Sequence, residues 1–155
     1  MTHSSRSALV ALLLLAVVPW AVQPTGAGDL TAVMSWGLLN TNSWHVLPLP
    51  AYLGATQGFS TLPQSLQVWP LGLAFYCGAV ASALGGVVFE REDVRVTVGL
   101  LALSGVGSAI VWWGLFSRGA SGVIPVGVVA TGIVIWWFYQ PAFSAFVGDR
   151  QRGER

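Results

Sequence analysis

Residues 66–116 decide the fold: LQVWPLGLAFYCGAVASALGGVVF (Leu66–Phe89), the turn Glu90-Arg91-Glu92-Asp93, then VRVTVGLLALSGVGSAIVWWGLF (Val94–Phe116). A helix rises ~1.5 Å per residue, so roughly 20 apolar residues cross a hydrocarbon layer of ~30 Å, and both runs exceed that length. Neither carries a charge in its interior. The tight polar turn between them makes the two helices antiparallel neighbours. A third run, residues 123–140, follows the short linker Ser117-Arg118-Gly119-Ala120-Ser121-Gly122.

Working outward, the composition agrees. The 155-residue chain is 54% hydrophobic and 8% charged, with mean hydropathy +0.68. A soluble domain carries roughly 25% charged residues, and a water-soluble form of this chain would expose large apolar patches. Net charge is +1, so no basic face invites nucleic acid. All seven basic residues are arginine, a bias that points to a GC-rich prokaryotic genome.

The first apolar segment, residues 8–22, is shorter. It reads as a first helix or as the apolar region of a signal peptide, with Thr25-Gly26-Ala27 as a weak cleavage site. Pro19 and Trp20 at its end favour a retained helix, because Trp prefers membrane interfaces. The fold predicted is therefore all-α, an up-down integral membrane bundle of four transmembrane helices, or three if the first segment is removed. Arg6, Arg91, Arg95, Arg150, Arg152 and Arg155 fall on one side of that topology and only Arg118 on the other. Arg-rich short loops stay inside, which places both termini and the 147–155 tail in the cytoplasm of a multi-pass cell-membrane protein. Trp20, Trp69, Trp112 and Trp113 would mark the outer interface. Trp136, Trp137 and Tyr139 would mark the inner one, before Pro141 closes the last helix.

The long connection, residues 23–65, faces outward and is the only loop with room for a site. Its segment Leu30–Leu39 is apolar but too short to span, which predicts an interfacial or re-entrant helix. Asn40-Thr41-Asn42-Ser43-Trp44-His45 follows, and Leu47-Pro48-Leu49-Pro50 breaks regular structure. Trp36, Asn40, Asn42, Trp44 and His45 are the candidate contact residues for a partner or for lipid. The same cluster, with Asp29, could instead supply a general base or a metal ligand through His45. A lone histidine with no carboxylate near it in sequence favours the contact role. No catalytic set, metal-ligand set or cofactor motif is legible. Asn40 and Asn42 form no glycosylation sequon, since positions 42 and 44 carry Asn and Trp.

Within the helices, Ala74, Gly78, Ser82 and Gly86 repeat every fourth residue, and such a small-residue stripe lets another helix approach closely. Cys77 stands alone in an apolar stretch, which excludes an intrachain disulfide. Asp93 precedes an apolar run at an N-cap position. Nothing ionisable lies at membrane depth, which argues against an ion or proton pathway.

The short first span, Trp36-Gly37-Leu38-Leu39-Asn40-Thr41-Asn42, the Glu90-to-Arg95 turn and Trp136-Trp137-Phe138-Tyr139-Gln140-Pro141 together resemble a small family of haloarchaeal membrane proteins. That family has no assigned activity and tends to be encoded near archaeosortase A. The resemblance covers nearly the whole chain and implies an accessory role. The Cys-Arg-His set of an archaeosortase is absent, because Cys77 is the only thiol. The function expected is thus a non-enzymatic scaffold that contacts the lipid bilayer and a membrane-protein partner or a second copy of itself. A small membrane enzyme or metal-dependent protein built on His45 is the alternative, and a transport subunit is a third.

Overall fold

The computed structural model describes residues 2–26, 28–89, 93–120 and 122–152, with side chains described over 6–139 of these. The turn residues Glu90, Arg91 and Glu92 and the last residues of the tail lie outside this set. Helix α1 (Thr2–Leu15) leads into four strands, β1 (Ala21–Gly26), β2 (Asp29–Val33), β3 (Gly37–Asn40) and β4 (His45–Pro48). Short helices α2 (Leu49–Ala55) and α3 (Gln64–Gln67) follow, and then the long helices α4 (Trp69–Phe89), α5 (Val94–Phe116) and α6 (Val126–Arg152). Helices α4 and α5 are long and apolar enough to cross a membrane, and shorter apolar helical stretches cover Arg6–Leu15 and Val126–Tyr139.

The protein is mostly helical but not all-α. Residues 21–48 form an antiparallel meander in the order β1-β2-β3-β4, where an interfacial helix over Leu30–Leu39 was expected. A short apolar run reads equally well as strand or helix, and here the turn residues decide. Gly26 and Gly28 have φ of 92° and 87°, a left-handed backbone that glycine adopts without Cβ strain and that reverses the chain between β1 and β2. Thr31, Val33 and Val46 supply the β-branched side chains that suit a pleated surface. Two further readings change. Helix α1 stops at Leu15 and the chain turns away to enter β1, so residues 8–22 are not one continuous helix. Helix α6 runs on past Pro141 rather than ending before it.

Helices α4 and α5 make the most extensive helix pair, as their tight connection requires, and α6 lies along α5. Asp93 caps α5, its carboxylate accepting from the Arg95 amide at 3.1 Å, which satisfies one of the donors a helix start leaves open. The inner core gathers Leu12 and Leu15 of α1, Tyr76, Ala79 and Ala83 of α4 and Leu101 of α5. The Tyr76 hydroxyl donates to the Leu12 carbonyl at 2.6 Å, tying α1 to α4. A second core lies where the sheet meets the helix ends, around Trp20, Ala21, Val33, Leu66, Trp69 and Val111.

The outer surface of the helices stays apolar on several faces. Leu14, Val88, Phe89, Trp113, Ile133, Trp136 and Trp137 are all exposed. Such all-round hydrophobicity is what a helix shows when its surroundings are apolar.

Candidate functional site

Tryptophan indoles fasten the sheet to the helices. Trp69, the first residue of α4, is buried, and its indole N–H is shared between the Met34 and Ser35 carbonyls, each at 3.0 Å. The Trp36 indole donates to the Ala16 carbonyl at 2.9 Å, just beyond α1. The Trp112 indole of α5 donates to the Val123 carbonyl at 2.9 Å, just before α6. Backbone pairing completes the join: Val22 and Ile124 exchange both hydrogen bonds, at 3.1 and 2.9 Å. Each indole satisfies a loop carbonyl that would otherwise be costly to bury.

Trp20 is the wedge in this join. Its ring presses on a glycine of α4 and its backbone on a glycine of α6. A Cβ at Gly72 would lie 2.6 Å from the Trp20 ring, and one at Gly127 would lie 2.6 Å from the Trp20 Cα. Gly107 completes the set, since a Cβ there would meet the Gly72 Cα at 3.1 Å. So α4 and α5 cross almost backbone to backbone, and only glycine allows it. Trp20 and Trp69 are therefore buried structural residues and not interface markers.

This arrangement fixes which end of the sheet is free. The turn between β2 and β3, holding Met34 and Ser35, is buried against Trp69. The β1–β2 and β3–β4 turns lie at the opposite end and project outward. Strand register sets the two faces, because paired residues share a face and successive residues alternate. Ala21, Val33, Leu38 and Leu47 form one row, and Ala21, Val33 and Leu38 pack on the helix-end core. Farther out on that face, Gln23, Thr31, Asn40 and His45 make a polar row. The other face carries Val22, Ala32, Leu39 and Val46, wholly apolar and with Val46 exposed.

The candidate residues now take different roles. Asn40 is structural: its amide donates to Thr31 Oγ1 at 3.2 Å and its Oδ1 accepts from the Asn42 amide at 2.8 Å, closing the β3–β4 turn. Thr41 extends that work by pairing with Leu30, its amide donating at 2.9 Å to the Leu30 carbonyl. Asn42, Ser43, Trp44 and His45 are exposed at the tip. Ser43 and Trp44 have φ of 66° and 45°, and a bulky residue held there is strained. Trp44 is 77% exposed, whereas Trp36 is 38% exposed and anchored by its indole bond. His45 opens β4, the outermost strand, and the described residues hold no group of three or more His, Cys, Asp or Glu that could bind a metal.

The small-residue stripe divides too. Gly78 faces Leu100 of α5, and a Cβ there would meet its Cδ1 at 3.2 Å. The Ser82 hydroxyl shares a 2.8 Å hydrogen bond with Thr97 Oγ1, and Gly86 is buried. Ala74 and Cys77 are exposed. Sequence reasoning missed Gly72, Gly107 and Gly127. The signal was there, one glycine within reach of the same end in each long helix, but it crosses helices and shows no periodicity.

Over residues 1–148 the chain matches a family described as Domain of unknown function (DUF8050). It belongs to this family. No curated protein and no solved structure matches it. Membership in DUF8050 agrees with the resemblance to a family of unassigned activity, and the sheet-on-helices architecture described above covers nearly the whole matched region.

Proposed function

We propose that this protein is a non-enzymatic, multi-pass membrane scaffold whose outer β-sheet presents the β3–β4 tip to a membrane-protein partner. The observation that carries this reading is Trp44: 77% exposed, at φ 45°, on a turn braced by Asn40. Strain of this kind persists only when surrounding structure imposes it, and it concentrates at working sites. A large exposed aromatic at the end of a firmly rooted sheet has the character of an interface anchor, since Trp is enriched among hot-spot residues.

Four spans with both termini in the cytoplasm fit the arginine distribution and the apolar outer surfaces of the helices. In that frame the sheet lies on the extracytoplasmic side. A haloarchaeal source and a role beside archaeosortase A, in the processing of surface proteins, follow from the family resemblance. Photo-cross-linking tests the reading: a benzophenone amino acid replaces Trp44 in the full-length protein in its native membrane. A discrete adduct with one membrane protein is expected, and adducts with lipid alone would contradict the partner role.

A further inference from the structure

Beneath Trp20 the helices leave a notch with polar walls. Its volume is about 10 Å³ and its lining includes Leu15, Trp20, Tyr76, Ser104, Gly127 and Thr131. One water needs roughly 10–15 Å³ of such space and two to four polar partners. Ser104 and Thr131 are buried, at 4% and 9% exposure, and neither hydroxyl has a hydrogen-bond partner among the described residues. The Tyr76 oxygen, already donating to Leu12, retains acceptor capacity. Close by, the Ser108 hydroxyl is fully buried without a partner and lies against Gly127, one of the lining residues. Buried hydroxyls are rarely left dry, because an unmade hydrogen bond costs more than the site gains by excluding water.

We infer that this notch is a binding site for a single ordered water, held by the hydroxyls of Ser104 on α5 and Thr131 on α6 with Tyr76 as a further partner. The water can accept from the Ser104 and Thr131 hydroxyls and donate one hydrogen to the Tyr76 oxygen, three bonds within the two to four that hold a buried water. Its position explains why α5 and α6 face each other with Ser104, Ser108 and Thr131 when exposed positions nearby are Val129 and Ile133. Trp20 lines the notch, so the water would border the same residue that seats the sheet.

X-ray hydroxyl-radical footprinting of the full-length protein in nanodiscs tests this, because radicals generated from bound water label adjacent buried side chains. Tyr76 should be labelled in the native protein, and labelling should fall several-fold in Thr131→Val/Ser104→Ala. Thr131→Ser, which keeps the hydroxyl, should retain it and controls for misfolding. Absence of Tyr76 labelling in the native protein, or equal labelling in the hydroxyl-free variant, would overturn the inference.

Discussion

The Trp69 indole N–H donates to the Met34 carbonyl at 3.0 Å, joining the first turn of α4 to the buried turn between β2 and β3, 35 residues earlier in the chain. The same N–H reaches the Ser35 carbonyl. Trp69→Phe keeps an aromatic ring, though a smaller one, and removes the donor, leaving two carbonyls without that partner. An unsatisfied buried group costs ~1–3 kcal/mol. Thermal unfolding in detergent should show the loss, and an unchanged transition would mean the sheet is held by packing alone.

Gly127→Ala should be strongly damaging. Its Cβ would meet Trp20 Cα at 2.6 Å and Ser108 Oγ at 2.8 Å, and backbone cannot give way as a flexible side chain can. Overpacking of this kind costs about 1–3 kcal/mol. Gly85→Ala and Gly132→Ala, where a Cβ meets open space, should leave stability unchanged or improve it. Equal effects at all three positions would remove the support for a glycine crossing around Trp20.

Gly37→Ala should loosen the β3–β4 hairpin, since its Cβ would lie 2.6 Å from the Leu47 carbonyl oxygen. A substitution here therefore reports on sheet integrity and not on the contact surface alone. Limited proteolysis between residues 41 and 48 should quicken in the variant while the long helices stay protected. Unchanged cleavage would show that the hairpin tolerates the intrusion.

Trp44→Gly separates folding from function most cleanly. Glycine suits φ of 45°, and the exposed ring contributes little burial, so stability should hold or rise slightly. Co-purification of the partner should weaken at least tenfold, which corresponds to ~1.4 kcal/mol of binding. Retained partner recovery with Trp44→Gly would move the working surface to the apolar sheet face or the helices.

The long helices were legible because lipid-length apolar runs leave few alternatives, and α5 occupies Val94–Phe116 as the run predicts. The sheet was not legible. Residues 30–39 are apolar without a clear period, and their strand character depends on register with β1 and β4, which a local reading does not contain. The tryptophans misled for a related reason: the same residue type serves at a lipid interface and as a buried hydrogen-bond donor. Trp113, exposed on α5, fits the first use, while Trp20 and Trp69 fit the second. Of the candidate residues after Leu39, Asn40 works inside the fold and Trp44 lies exposed at the turn.

Placement of the sheet on the extracytoplasmic side is tested most directly by cysteine accessibility in intact cells. With Cys77→Ala as background, Ser43→Cys at the β3–β4 tip and Arg95→Cys at the start of α5 would each be treated with a membrane-impermeant maleimide. Labelling of Ser43→Cys in intact cells, with Arg95→Cys labelled only after lysis, is the predicted result. Labelling of Arg95→Cys in intact cells, with Ser43→Cys protected, would contradict it.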